Sequence, residues 1–458
     1  MTPENRPGYH RPIPTHGAIF KLAWPLAVNA ILLQGIVILD TYLVSILGEN
    51  ALTAMGLAGA IAGLLSGALM SISHATQILV ARAKGADDPV ALKSALWCAV
   101  AIGGAVAGLG LALVRTLGDD VIGSFAHTPE IAQDAVAYLD IFALVIVFEV
   151  GSQAISCHFN GTGRTRLPFY SHLAEMPVNI GLSVVLIFGL YGFPELGLKG
   201  AAIGSAAAAL VRLLFLAVCL HRLEAAVIRA PGWARATFPA SVTWHALFAL
   251  PVAAAFFGQA ACNTVSALLY ARMSVNDFAA MTLILPWIQV VGTMMISWAQ
   301  ATGIFVGQLL GQRETAGHMN AFLKRSWRVC IVIAAFVSTL YLAASMSFRW
   351  IYEDLQRETL DALWSFVPAL LLLSFPKSSN AMCGSTLRAG GDTVYVMNIH
   401  LFSQWAYRVP MTALLVLYLD WSVTWVFALL LFEECLKFPF FHLRVLSGKW
   451  RTMLDRRT

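Results

Sequence analysis

The 458-residue chain is 58% hydrophobic and only 12% charged, a balance that excludes a water-soluble protein and points to a polytopic membrane protein. Its net charge of +5 is small for this length and gives no basis for nucleic-acid binding. No Walker loop, HExxH or GxSxG motif is present, so no enzymatic activity, cofactor or metal is expected; the seven cysteines fall mostly in apolar runs without a CxxC and read as small core residues.

Apolar runs of about 20 residues, the length that crosses a bilayer, predict an all-α chain of twelve transmembrane helices. They lie near 19–46, 51–81, 94–114, 136–158, 168–192 and 197–221 in the first half, and near 243–271, 277–307, 325–347, 360–385, 395–418 and 421–443 in the second. The first span carries Gln34 and one carboxylate, Asp40. A charge at membrane depth costs about 2.5–3.5 kcal/mol even on insertion scales, so Asp40 is expected to face a wet or protein-lined interior. It is either a structural acid held by hydrogen bonds or a group that binds a proton on one side and releases it on the other. Glu149 and Glu175 are further acids on the fourth and fifth spans, with Glu175 expected within reach of Arg164 or Arg166. On the eighth span Trp287, Met294 and Trp298 offer polarisable walls for an aromatic cation, although such a stripe also serves plain packing. On the tenth, Lys377 either replaces a carboxylate, pairs with an acid, or snorkels to water. His74, His400 and Arg408 fall inside or near spans, the histidines reading as packing residues, and Glu433, Glu434 and Lys437 read as a cytoplasmic salt-bridge cluster.

One set of loops holds Arg82, Lys84, Lys93, Arg164, Arg166, Arg222, Arg229, Arg235, Arg313, Lys324, Arg325, Arg328 and Arg388, and the termini add Arg6, Arg11, Arg444, Lys449, Arg451, Arg456 and Arg457. Short cytoplasmic loops retain positive charge, so both termini are expected in the cytoplasm. A shift of 226 residues pairs Pro25 with Pro251, Asn50 with Asn276, Ser71 with Ser297, Thr76 with Thr302 and Gly85 with Gly311. Apolar composition does not put Pro, Asn, Ser, Thr and Gly in one register, so the chain is duplicated. Six spans per copy make the copies parallel, with lobes 1–221 and 243–458 joined by a polar segment at 222–242. Alternate exposure of a cleft between two such lobes is the mechanism this organisation leads one to expect. The acid belongs to the first copy alone, because Ser266 stands where Asp40 would recur.

The stretches WPLAVNAILLQGIVILDTYLVSILGENALTAMGLA and LPVAAAFFGQAACNTVSALLYARMSVNDFAAMTL, with AQATGIFVGQLLGQ, GTGRTRLP, STLRAGGDT and the tail EECLKFPFFHLRVLSGKW, together resemble the multidrug and toxic compound extrusion family, in its bacterial branch. The resemblance covers nearly the whole chain. It implies twelve helices in two lobes and export of amphiphilic, often cationic organic compounds from a bacterial inner membrane, by a monomer in the lipid bilayer, against inward protons or sodium. It also implies an ion site of Asp40 with Asn179 on the fifth span and Ser205 on the sixth; Ser183 stands where a second aspartate is expected, which favours the proton over sodium. Asn179 and Ser183 are spaced i, i+4 and share a helix face. Where another branch has acids on its seventh and tenth spans this chain has Gln259 and Lys377, so that branch's cation site is not carried over. The substrate cleft is expected to include Gln34, Gln259, Trp287, Met294, Trp298 and Lys377. The alternative is a lipid-linked precursor flippase of related fold, which would want a strongly cationic cavity; Lys377, Arg408 and Arg212 are the buried basic residues available for one.

Overall fold

The computed structural model describes residues 14–126, 128–351 and 356–453, and among these the chain is helical without a β-strand. Arg6, Arg11, Arg456 and Arg457 of the charge count lie outside the described residues. The first half folds as α1 (His16–Ser45), α2 (Glu49–Gly85), α3 (Pro89–Phe125), α4 (Pro129–Gly161), α5 (Arg166–Phe188) and α6 (Leu198–Leu223). After the short α7 (Ala225–Ile228), the second half gives α8 (Phe238–Tyr270), α9 (Val275–Gly311), α10 (Ala316–Ile351), α11 (Arg357–Ser365) and α12 (Val367–Ala389), then α13 (Thr393–Leu401), α14 (Val409–Leu417) and α15 (Val423–Leu446). The twelve expected spans are all found, with α11 and α12 forming the tenth and α13 and α14 the eleventh.

Among the described residues ten spans are long and apolar enough to cross a membrane on those grounds alone. The other two differ for visible reasons. The eleventh is interrupted by a π-helical turn at Phe402–Arg408, where Pro410 has no N–H to offer the preceding turn. The twelfth, α15, carries Glu433, Glu434, Lys437 and Arg444. The tenth is jointed at Phe366, with Pro368 in the first turn of α12.

The duplication is visible in three dimensions. Helices α2 and α9 each run 37 residues and are related end to end by the same shift that pairs the prolines. The turns that follow them repeat a left-handed residue, Asp87 at φ 49° and Arg313 at φ 55°, and the ends of α4 and α12 are followed by left-handed Gly163 and Gly391. A turn that forces φ above zero on a non-glycine side chain is uncommon, so its recurrence in register is a stronger mark of duplication than any apolar match.

The chain divides into two compact units, one of Val28–Ala253 and one of the chain up to Ala27 together with the chain from Ala254 onward. The boundaries fall inside α1 and α8, just past Pro25 and Pro251, rather than in the 222–242 segment. That segment is docked: Lys93 Nζ donates to the Ala230 carbonyl and lies 4.5 Å from the centre of the Trp233 ring, and Ser94 Oγ accepts from Ala234 N at 2.9 Å.

In the first unit α2 packs on α4 and α5 packs on α6. The second contact is close because α6 presents Gly200 and Gly204 one turn apart, the spacing that lets membrane helices approach backbone to backbone. A Cβ at Gly200 would lie 2.6–2.8 Å from the Leu186 and Ile187 backbone, and one at Gly204 would collide with Ser183 Oγ and lie 2.9 Å from Ser183 N. Gly204→Ala is therefore expected to separate α5 from α6 and to cost about 1–3 kcal/mol, measured as a lower thermal unfolding midpoint in detergent. An unchanged midpoint would show that the helices have room this geometry denies. In the second unit α12 packs on α9, α10 and α15, around a core in which Phe366 stacks on Phe427 at 4.2 Å and the Tyr341 hydroxyl donates to the Ile288 carbonyl at 3.0 Å.

Candidate ion-coupling site

Asp40 lies in the last third of α1 with 9% of its surface exposed, one turn before Val44, which joins the apolar core shared with α2, α4 and α6. Helix α5 brings Asn179 and Ser183 to it on one face, and α6 brings Ser205. Asn179 Nδ2 donates to Ser205 Oγ at 3.1 Å, and that hydroxyl in turn donates to Asp40 Oδ2 at 3.5 Å. The three groups form a short relay on three helices. Ser183 is fully buried one turn further along, against Gly204 of α6. Asp40 Oδ1, Asn179 Oδ1 and Ser183 Oγ have no hydrogen-bond partner among the described residues. Buried acceptors are normally satisfied, so the site presents unused oxygen lone pairs around one carboxyl, an arrangement fit to take up a proton.

One turn before Asn179 on the same α5 face stands Glu175, which opens a second polar cluster. His172 Nδ1 and Glu175 Oε2 are 2.8 Å apart, Arg212 Nε of α6 is 3.9 Å from Glu175 Oε2, and Arg212 Nη1 reaches Glu149 Oε1 of α4 at 3.4 Å. The expected partners of Glu175, Arg164 and Arg166, are not the ones it takes. Arg164 pairs with Glu224 at 3.1 Å. Arg212 is buried and reaches both Glu149 and Glu175, which accounts for two of the membrane acids as paired. The α6 spacing is the signal: Ser205 and Arg212 are seven residues apart and so fall on one face.

The second unit corrects one expectation. Glu433, Glu434 and Lys437 do form the expected salt-bridge cluster, but it is not an isolated one on the last helix: Glu433 and Lys437 are buried within α15. Arg408 Nη1 meets Glu433 Oε2 at 3.2 Å, and Lys437 Nζ meets Glu433 Oε1 at 3.1 Å and Glu434 Oε1 at 2.7 Å. Asn380 of α12 donates to Glu434 Oε2 at 2.8 Å, and Arg408 Nη2 donates to Asn263 Oδ1 of α8 at 2.8 Å. The π turn explains the burial. By inserting residues into the eleventh span it points Ser403, Gln404 and Arg408 inward together, and π turns of this kind recur at functional positions. By the repeat, α8, the α13–α14 span and α15 correspond to α1, α5 and α6. The Arg408–Glu433 pair thus occupies the helices of the second copy that in the first copy build the Asp40 site.

The residues expected to line a substrate cleft are scattered in their surroundings. Gln34 is exposed on α1. Gln259 is half-buried and joins the Arg408 network, donating to Asn263 Oδ1 at 3.0 Å and accepting from Gln404. Trp287 and Met294 are half-buried against the core of the second unit, with Trp287 edge-on to Phe348 at 6.1 Å. Trp298 is buried and its indole N–H donates to the Ser326 carbonyl at 3.2 Å, a packing role between α9 and α10. Lys377 is half-buried on α12.

Similar proteins give the same picture. The MatE family model matches residues 25–185 and again residues 251–414, two matches that begin at the paired prolines. The chain is 26% identical over 368 residues to the multidrug resistance protein PmpM of Pseudomonas aeruginosa, covering 76% of this chain and 72% of that protein. It is 25% identical over a 470-residue alignment to the probable multidrug resistance protein NorM of Thermotoga maritima, covering 96% and 94%. Its fold matches the eukaryotic MATE transporter AtDTX14 with a TM-score of 0.82 at 16% identity, over 96% of this chain and 97% of that one. A variant of the Vibrio cholerae MATE transporter VcmN matches with a TM-score of 0.81 at 16% identity, over 95% and 98%. A duplicated twelve-span fold matched twice by one family model has a single reading, and the chain belongs to the MatE family of membrane transporters.

Proposed function

We propose that this chain exports amphiphilic, mainly cationic organic compounds across a bacterial inner membrane in exchange for protons that enter through Asp40. The observation that carries the coupling is a difference among buried carboxylates. Of Asp40, Asp392 and Glu433, the buried acids among the described residues, Asp392 pairs with Arg444 at 2.6 Å and Glu433 with Arg408 and Lys437. Asp40 has no ion pair among the described residues and meets only neutral polar side chains, with Ser205 Oγ at 3.5 Å. An acid left without a cation in a low-dielectric site is the one whose charge is most easily cancelled by a proton. Gaining or losing that proton changes what the α1, α5 and α6 contacts can satisfy, which is how a local charge event biases a two-state element.

Export of organic compounds is supported by the names of the PmpM and NorM relatives. Cytoplasmic termini follow from the distribution of Lys and Arg, and a monomer is sufficient because the duplicated chain supplies both copies of the repeat. The test is transport by the purified protein in liposomes, with ethidium as the fluorescent cation, under an imposed proton gradient or an imposed sodium gradient. Accumulation driven by protons and not by sodium is expected. Sodium drive alone would overturn the coupling, and failure to move ethidium while a lipid-linked sugar crosses the bilayer would favour the flippase.

A further inference from the structure

We infer that His172 and Glu175 form a second proton station in the first unit, which takes the proton that Asp40 gives up and passes it towards the cytoplasm. The inference rests on the proton-exchange reading above and adds to it the route by which the proton leaves Asp40.

Helix α5 lays out the route. At 100° per residue His172, Glu175, Asn179 and Ser183 fall within about 80° of one another, a polar stripe on one face. From Ser183 back to His172 the stripe covers about 16 Å at 1.5 Å per residue. It runs from the surroundings of Asp40 towards the end of α5 that follows Arg164 and Arg166, the side that a basic loop marks as cytoplasmic. Asn179 meets Ser205 at 3.1 Å and through it Asp40. Glu175, one turn nearer that end, is close enough for its charge to act on Asp40.

The charges that meet here do not balance. Glu149 of α4, His172 and Glu175 of α5 and Arg212 of α6 are the ionisable groups, and the guanidinium is shared: Nη1 lies 3.4 Å from Glu149 Oε1 and Nε 3.9 Å from Glu175 Oε2. Two carboxylates and one guanidinium leave one negative charge while the imidazole is neutral, and none once the group gains a proton. An uncompensated charge out of water is unfavourable, so the group attracts that proton. The longer contact is beyond hydrogen-bond reach, and Arg212 Nε has no acceptor among the described residues. The hydrogen bond that holds Glu175 there comes from His172, with Nδ1 and Oε2 2.8 Å apart. A carboxylate only accepts, so the resting imidazole carries its hydrogen on Nδ1 and leaves Nε2 bare to take another. In the second unit Glu433 and Glu434 meet two cations, Arg408 and Lys437, and the same surplus does not arise. Glu175 keeps 13% of its side chain exposed and His172 only 1%, so the proton enters and leaves by the carboxyl and the imidazole shares it. In the step itself the carboxyl O–H of Asp40 breaks, Asp40 is left as a carboxylate, and the proton neutralises the His172–Glu175 pair. Its release to water restores the single negative charge, and no other bond changes.

The experiment separates proton-coupled movement from exchange. The full-length protein is placed in liposomes that hold the pH-sensitive dye pyranine, and proton movement is read as ethidium crosses the other way. Exchange of labelled for unlabelled ethidium is followed separately at equal pH, a reaction that moves no net proton. Glu175→Gln should slow the coupled movement about a hundredfold, the lower end of what a positioned proton-transferring group contributes, and leave exchange at the wild-type rate. His172→Gln, whose amide donates as Nδ1 does but takes no proton, should show the same split. The double variant should lose no more than either single one, because the two residues act as a unit. Glu175→Gln removes the surplus charge and leaves Arg212 with Glu149, so the protein is expected to fold; should it not, His172→Gln carries the test alone. Coupled movement at the wild-type rate in these variants overturns the inference while leaving proton exchange intact. Coupled movement and exchange falling together overturns it as well, since that marks a structural role. A wild type driven by sodium alone overturns the coupling reading and this one with it.

Discussion

Asp40→Asn is expected to abolish proton-driven efflux, down to the leak of protein-free liposomes, while leaving the protein folded and at least as stable as wild type. The two halves of this expectation come from one fact, that Asp40 is buried without an ion pair. If it were a structural acid, its negative charge would be compensated and its loss would destabilise the α1, α5 and α6 contact. Here the charge stands against neutral polar side chains alone, beside two orphaned oxygens, Asn179 Oδ1 and Ser183 Oγ. An amide at this position keeps the shape, can donate to one of those oxygens, and removes an uncompensated charge worth about 2.5–3.5 kcal/mol on insertion scales. The measurements are ethidium transport and the thermal unfolding midpoint of the same preparation. Lost transport with an unchanged or raised midpoint supports a proton carrier. A lowered midpoint together with retained transport would make Asp40 a structural residue.

Glu433→Gln is expected to be the most destabilising single change in the second unit, more so than Arg408→Met. Glu433 is shared by two cations, so neutralising it strands Arg408 altogether and leaves Lys437 with Glu434 alone. Arg408→Met strands no charge, because Glu433 keeps Lys437. Breaking a buried pair from one side costs about 3–5 kcal/mol. Arg408→Met combined with Glu433→Gln should recover part of the loss, since what remains is the Lys437–Glu434 pair in balance. Unfolding can be followed by a thiol-reactive dye, because Cys98, Cys157, Cys330 and Cys383 are free and buried. A double variant less stable than Glu433→Gln would mean the network is not organised by its charges.

What could be read before the coordinates was what depends on long runs and on register. The spans and the duplication follow from apolar length and a shift of fixed size, whereas the gathering of Asp40, Asn179 and Ser205 was what the family resemblance implied. What escaped depends on small departures from regularity. The π turn at Phe402–Arg408 rotates one arginine by a fraction of a turn, and no apolar count shows that. Without it Glu433 and Lys437 look like charges at a helix end, because a burial explanation needs their partner on another helix. The importance of Gly200 and Gly204 lies in what they face, the Leu186–Ile187 and Ser183 backbone, which only the packed helices reveal. The same holds for Arg212, whose two acids sit on two other helices.

Arg408 has a further consequence. In the second copy of the repeat a guanidinium fixed to the chain stands where an exchangeable ion would otherwise be needed to balance a carboxylate, and it cannot leave. If Asp40 is the proton carrier, as proposed, the second copy then adds no further vacancy for a proton. Under the proposed exchange, one proton in for one monovalent organic cation out moves no net charge, so its driving force is the pH difference alone and the membrane voltage does no work on it. A zwitterion leaving by the same route carries no charge out, and each cycle then draws on the voltage as well, at about 2.3 kcal/mol per 100 mV. The electrical signature of transport would therefore change with the cargo and not with the protein.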